Sequence, residues 1–137
     1  MTSQCQCGCT LSDNSGHIIA SARQRCHTNI RRWTIYVKPQ YTITLTIDYF
    51  RLNHLSSVRV YDSATSADAA TALPLLLKLT KDGADEDTAT MLVTSGNRML
   101  IEYVTVDNGL ATARNNEGFI ASYIATDAGI ESAYILT

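Results

Sequence analysis

Residues 41–49 alternate between apolar and polar side chains without interruption. A period of two residues is typical of a β-strand that has one face on a hydrophobic core and the other in water. The stretch therefore predicts a long amphipathic strand. Its apolar face carries Tyr41, Ile43, Leu45, Ile47 and Tyr49, and its polar face carries Thr42, Thr44, Thr46 and Asp48.

Similar patterns recur along the chain and predict an all-β fold. Short strand-forming segments separated by turn residues occur at 17–20, 33–37, 41–50, 57–61, 73–79, 88–93, 98–104 and 118–125. Segment 73–79 is almost wholly apolar and predicts a strand buried on both faces. Residues 94–97 are interpreted as a hairpin turn. This series predicts an antiparallel two-sheet β-sandwich of the jelly-roll type.

One core between the two sheets should hold the apolar faces of these strands. The sandwich domain is predicted at 16–126, between a cysteine-bearing lead-in at 1–15 and a strand or tail at 127–137. The predicted core consists of Trp33, Ile35, Ile43, Leu45, Ile47, Val58, Val60, Met99, Ile101, Phe119 and Ala121.

Composition and charge argue against several classes of function. The chain has 137 residues, enough for one domain, and its formal net charge of −2 gives no global support to nucleic-acid binding. Its apolar runs are far shorter than the roughly 18 residues that span a bilayer, so membrane insertion is not expected. The histidines are dispersed and no Gly-x-Ser-x-Gly turn occurs. We therefore expect no enzyme activity and no catalytic residues.

The densest chemical signal in the sequence is its four cysteines, Cys5, Cys7, Cys9 and Cys26. Disulfides suit a small extracellular domain, but in an extended chain the first three would point the same way about 7 Å apart, which disfavours pairing between neighbours. Free or intermolecular cysteines are one alternative, and a zinc site that recruits His17 or His27 is another. A Cys-x-Cys-x-Cys run lacks the usual Cys-x₂₋₄-Cys spacing of zinc sites, so disulfides are favoured.

Four arginines lie close together just before the tryptophan at position 33, namely Arg23, Arg25, Arg31 and Arg32. One interpretation is a binding patch for a sulfated glycan or an acidic protein partner. The other interpretation, which we favour, is a solvated start of a strand, with Trp33 in the core.

Four motifs in sequence order resemble those of the CUB domain, an extracellular β-sandwich module. The first is the small-residue segment at 16–21, and the second is the block from Trp-x-Ile at 33–35 to Val-x-Val-x-Asp at 58–62. The third is Ser-Gly-Asn with an apolar strand at 95–103. The fourth is Gly-Phe-x-Ala-x-Tyr at 118–123. The resemblance covers residues 16–125.

The resemblance implies a non-enzymatic extracellular module that binds protein partners through loops at one end of the sandwich. We accordingly expect the chain to be a mature or excised part of a secreted protein or of a larger ectodomain. Two other functions stay open: a carbohydrate-binding, lectin-like domain as in the CUB-like spermadhesins, and the accessory domain of an enzyme whose catalytic part is elsewhere.

The cysteines depart from the family's pattern. No cysteine follows Cys26, so the family's bridge beside the Val-x-Val strand is missing, and the cysteine usual two residues before the tryptophan is Arg31. The resemblance implies that the remaining bridge joins Cys26 to Cys7 or Cys9, with a second tight or intermolecular bridge among the other cysteines.

The calcium ligands of the family are also largely missing. Many CUB domains bind Ca²⁺ through acids whose positions fall here on Asn53, Ser56 and Val106, with Asp107 one place away. A hard cation needs several oxygen ligands, typically including carboxylates. Asn53 and Asp107 are the remaining metal candidates, and we expect no cofactor and calcium-independent binding.

Overall fold

The computed structural model describes residues 5–22, 24, 26–52, 55–62, 74–81, 83–84, 91–105 and 117–127. Within them the chain forms ten strands. These are β1 (Gly8–Leu11), β2 (Ser15–Ser21), β3 (Ile30–Tyr36), β4 (Tyr41–Arg51), β5 (Ser57–Asp62), β6 (Leu75–Thr80), β7 (Gly83–Ala84), β8 (Met91–Val93), β9 (Arg98–Val104) and β10 (Gly118–Asp127).

The strands form two sheets, which confirms the predicted β-sandwich. The six-stranded sheet has the order β1-β3-β9-β5-β6-β7, and the four-stranded sheet has the order β2-β10-β4-β8. All strand pairs are antiparallel except β1 with β3, which is parallel. In the described part of the chain, no helix has the length and apolar character needed to cross a bilayer.

The core lies between the sheets and contains every residue of the predicted core. Each of the predicted core residues is at most 5% exposed. Tyr49, which the alternation also places on the apolar face, is 39% exposed, because a register shift between β4 and β10 separates it from Ile47 and turns it outward. Phe119 of the four-stranded sheet makes edge-to-face contacts with Trp33 and Tyr103 of the six-stranded sheet, with ring centroids 5.6 and 5.4 Å apart. Such aromatic pairs stabilise by about 0.5–1.5 kcal/mol beyond their buried area. They join the two sheets at one end of the core.

Gly118 allows Phe119 to reach that position. Its φ is +141°, and a Cβ at this residue would collide with the carbonyl oxygen of Ala20 on the neighbouring strand β2. An L-residue rarely adopts this conformation, so only glycine fits at the start of β10 without strain.

Residues 94–97 do not form the predicted hairpin, because the strands on either side belong to different sheets. Thr94 stays with the four-stranded sheet: its N–H donates to the carbonyl of Ile43, and its Oγ1 accepts from the Ile43 N–H, both at 2.9 Å. Asn97 bonds to the six-stranded side, where its Nδ2 donates to the carbonyl of Val37 at 2.8 Å. Residues 94–97 turn the chain as predicted, but they carry it from one sheet to the other.

Two further expectations need correction. Residues 1–15 are not simply a lead-in, because β1 pairs with β3 and is an edge strand of the sandwich. Strand β6 is buried on one face only, since Leu77 and Leu79 lie in the core whereas Leu75 is 50% exposed.

The last strand ends at Asp127, one residue beyond the predicted domain boundary. The predicted tail from residue 128 lies outside the described residues.

Candidate functional site

The N-terminal cysteines form two disulfides that close one end of the sandwich. Cys5 pairs with Cys9, with Cα atoms 5.4 Å apart, and Cys7 pairs with Cys26, with Cα atoms 5.6 Å apart. Residues 5–7 turn before β1 begins, so the chain is not extended here and Cys5 can fold back onto Cys9. Both Cα distances lie within the usual range for a disulfide.

This pairing decides between the interpretations of the cysteines. No cysteine of the chain is free, so the intermolecular alternative is wrong. The zinc alternative is wrong as well, because zinc is bound by the thiolate form of cysteine and these sulfurs are oxidised. Of the two partners proposed for Cys26, the structure selects Cys7.

Arg31 contacts the disulfide-bonded segment and is only 3% exposed. Its Nη1 donates to the backbone carbonyls of Gln6 and Ser21, at 3.3 and 3.0 Å. Its Nη2 donates to the carbonyl of Gln24 at 2.9 Å. The guanidinium carbon is 5.2 Å from the centroid of the Tyr103 ring. One side chain therefore holds the segments before β1 and after β2 against β3 and β9.

Arg31 stands where the CUB resemblance expects a cysteine, and it connects the same parts of the chain by hydrogen bonds instead of a covalent bridge. Next to it in β3, the Trp33 Nε1 donates to the carbonyl of Cys5 at 2.6 Å. We call this group of disulfides, Arg31 and Trp33 the N-terminal knot.

The charge in the knot is largely removed from water. Burial lowers the pKa of the Arg31 guanidinium from its ordinary value, a shift that the nearby Tyr103 opposes. Burial raises the pKa of Tyr103 to about 12, although Arg31 lowers it and Glu117 raises it further. Tyr103 thus stays a neutral phenol, and the Arg31 guanidinium lies over its ring. This arrangement favours a cation–π contact.

The predicted arginine patch is not assembled as a single surface. Arg31 and Arg32 are neighbours in a strand, so they point to opposite faces, and Arg31 is buried. Arg32 is exposed, and its Nε lies 3.0 Å from an oxygen of Glu102 on β9. Arg23 and Arg25 lie outside the described residues. Including Arg31 in a binding patch was wrong, because its side chain is buried and both terminal nitrogens of the guanidinium donate to backbone carbonyls inside the protein.

The calcium candidates Asn53 and Asp107 also lie outside the described residues. Ser56, at another of the family's acid positions, is described and buried, with 6% of its surface exposed. Among the described residues, no group of three or more His, Cys, Asp or Glu side chains is placed to hold a metal ion.

The outward side of the six-stranded sheet carries a row of charged residues that sequence reasoning missed. Strand register places Arg32 beside Glu102, Glu102 beside Arg59, and Arg59 beside Lys78. Further along β9, the Arg98 guanidinium lies 4.4 Å from the ring centroid of Tyr36. We call Arg32, Arg59, Lys78, Arg98 and Glu102 the basic face.

The outward side of the four-stranded sheet has a different character. Its central cross-strand rows pair Ile120 with Ile19 and Tyr49, and Ser122 with His17 and Thr46. These rows contain no lysine, arginine or carboxylate side chain. The cations of the basic face therefore have no counterpart in these central rows, although Arg51 is exposed at the end of β4.

No protein-family model and no curated protein matches the chain by sequence. Solved structures match it by fold. The extracellular region of zebrafish Gpr126/Adgrg6 matches with a TM-score of 0.60 at 19% identity, over 89% of this chain and 15% of that chain. The CUB1-EGF-CUB2 domain of human MASP-1/3 matches with a TM-score of 0.59 at 19% identity, over 89% and 45% of the two chains. The fold is CUB-like.

The CUB2 domain of MASP-1 bound to Ca²⁺ matches with a TM-score of 0.55 at 14% identity, over 84% of this chain and 96% of that domain. The CUB-like sandwich thus corresponds to nearly all of an isolated CUB domain, whereas it spans less than half of the two multidomain chains. The resemblance seen in the sequence motifs is confirmed at the level of the fold.

Replacing Arg31 by methionine should strongly destabilise the CUB-like sandwich. Methionine fills a similar volume, but the part-buried carbonyls of Gln6, Ser21 and Gln24 lose a charged donor. The Ser21 carbonyl keeps the Gln24 N–H as a donor at 3.1 Å. A hydrogen bond to a charged group typically contributes about 1.5–3 kcal/mol. We expect a loss of roughly 2–4 kcal/mol in unfolding free energy, measured by urea denaturation. Arg32→Met is the matched control and should change stability by less than about 0.5 kcal/mol, because exposed ion pairs contribute little. Equal effects of both variants would contradict the role of Arg31.

The Cys7→Ser/Cys26→Ser variant should lose more stability than the Cys5→Ser/Cys9→Ser variant. The first bridge spans 19 positions and the second spans four. Chain entropy then predicts a loss of about 3 kcal/mol for the long loop and roughly 2 kcal/mol for the short one. Denaturant titration of both variants without reductant measures the difference. A larger loss for the short bridge would show that β1 is held chiefly by the turn at residues 5–7.

Proposed function

We propose that this chain is a non-enzymatic extracellular interaction module that binds a protein partner without calcium. The observation that carries the proposal is the pairing of all four cysteines in disulfides within a CUB-like sandwich. Disulfides of this kind persist in oxidising surroundings and are rare in the cytosol. The likeness to the extracellular region of Gpr126/Adgrg6 supports the same location.

The arrangement of the motif residues supports binding rather than catalysis. Ser95 has a structural role in the sheet-to-sheet connection, where its N–H donates to the Asp62 Oδ2 at 3.0 Å. His17 and His27 are both exposed, on the outer side of β2 and after Cys26.

Calcium independence rests on the residue types at the family's acid positions. Asn53 and Ser56 have no carboxylate, and a Ca²⁺ site takes six to eight oxygens that commonly include several carboxylates. The CUB2 domain of MASP-1, which is bound to Ca²⁺, provides the contrast.

The proposal is tested by displaying the chain as a multivalent fusion on an array of purified extracellular domains and on a glycan array. Each array is probed with calcium and with EDTA. Reproducible binding to one or a few ectodomains, equal in both buffers, is the expected result. Binding to glycans alone would favour a carbohydrate-binding module instead, and binding to neither would contradict the proposal.

Calcium should leave the thermal stability of the chain nearly unchanged. A site of roughly micromolar affinity would stabilise the folded state by about 4 kcal/mol at millimolar calcium. Differential scanning calorimetry in about 1–2 mM calcium, which would saturate a site of roughly micromolar affinity, is expected to give the same Tm as calorimetry in EDTA. The CUB2 domain of MASP-1 is the positive control. A clear rise in Tm for this chain would contradict calcium independence, and Asp107→Asn would be the first variant to examine.

A further inference from the structure

We infer that the basic face is the docking surface of this module and that its partner is a protein with an acidic surface. The inference rests on the proposed function and assigns it a location and a partner chemistry. It places binding on a sheet face rather than on the loops at one end of the sandwich.

Strand register fixes the shape of the basic face. Arg32, Glu102, Arg59 and Lys78 are directly opposite one another on the successive strands β3, β9, β5 and β6. Because neighbouring strands lie about 4.8 Å apart, this row extends roughly 14 Å across the sheet. Its residues alternate with buried ones such as Trp33, so their side chains point away from the core.

The row has an excess of positive charge. Arg32 and Glu102 form an ion pair at 3.0 Å, with 57% and 15% of their side chains exposed. Arg59 and Lys78 therefore add two positive charges beside a carboxylate that already has a partner. The whole chain has a net charge of −2, so this excess is local. Complementary charge is what steers two proteins together and fixes their orientation.

The side chains between the cations favour a protein partner over a sulfated glycan. Next to the charged row, Thr34, Leu100 and Tyr61 form an uncharged row across the same strands. Tyr36 is 45% exposed, and Leu75 at the β6 side of the sheet is 50% exposed. Arginine and tyrosine are enriched in protein–protein interfaces, where apolar contacts contribute much of the affinity. A sulfated polysaccharide would make little use of the apolar surface.

The basic face is also rigid. Strands β9 and β5 are hydrogen-bonded on both sides, and they carry Glu102, Arg59 and Arg98. The Arg98 guanidinium is held over the Tyr36 ring. A surface that is ordered before binding loses little conformational entropy when a partner docks.

The test uses biolayer interferometry of the whole chain against three immobilised probes: a random copolymer of glutamate and tyrosine, polyglutamate, and heparin. The face variant is Arg59→Gln/Lys78→Gln. Its matched control is Lys38→Gln/Arg51→Gln, which removes the same two residue types from exposed positions away from the face. Circular dichroism first verifies that both variants are folded.

We expect the glutamate–tyrosine copolymer to bind more tightly than polyglutamate or heparin. The face variant should bind it roughly tenfold more weakly, as expected for the loss of two cations, and the control variant should stay within about twofold of the unmodified chain. No binding of the copolymer, or equal weakening of the two variants, would overturn the inference. Heparin binding that is tighter than copolymer binding and is lost in the face variant would also overturn it, in favour of a sulfated glycan.

The same variants separate this inference from the proposed function. If an ectodomain identified on the array binds the face variant as tightly as the unmodified chain, the docking surface is wrong and the interaction module stands. If no ectodomain binds any form of the chain, the proposed function itself fails.

Discussion

The burial of one charged side chain constrains how the N-terminal end of this protein is built. A guanidinium removed from water must keep its hydrogen bonds, because an unsatisfied buried charge is far more costly than an exposed one. The two terminal nitrogens of Arg31 meet this need with carbonyls from Gln6, Ser21 and Gln24, whereas its Nε is buried without a partner. The three carbonyls belong to the segment before β1 and to the end of β2 and the residues after it. Those segments must therefore converge on β3. The two disulfides fix the same convergence covalently.

The N-terminal knot and the basic face lie on opposite faces of β3. Arg31 points into the knot, and Arg32, the next residue, points outward and begins the charged row. Because the knot anchors β3, which pairs with β9 and through it with β5 and β6, it also fixes the position of the cations on that sheet. In this account, a feature that holds the fold together also orients the binding surface.

Most of the fold could be predicted from alternation, whereas the site could not. The period of two placed Ile43 and Ile101 in the core correctly, and it also implied that Arg31, two residues before Trp33, points inward. The run of nearby arginines masks that signal, because it suggests a solvated patch. The cations at 32, 59, 78 and 98 are far apart in sequence, and only strand register brings them together. The residue types at 94–97 suit a hairpin turn and a connection between two sheets equally well, so the sequence alone does not distinguish the two.

Hydrogen exchange of the β1 amides measures most directly whether the N-terminal segment is part of the sandwich. We expect those amides of Gly8–Leu11 that donate to β3 to exchange slowly, with protection close to that of β3 itself, because the knot makes the two strands open together. The experiment is done by NMR on the oxidised protein near neutral pH. Exchange of all β1 amides at the rate of an unstructured chain, with β3 still protected, would contradict it.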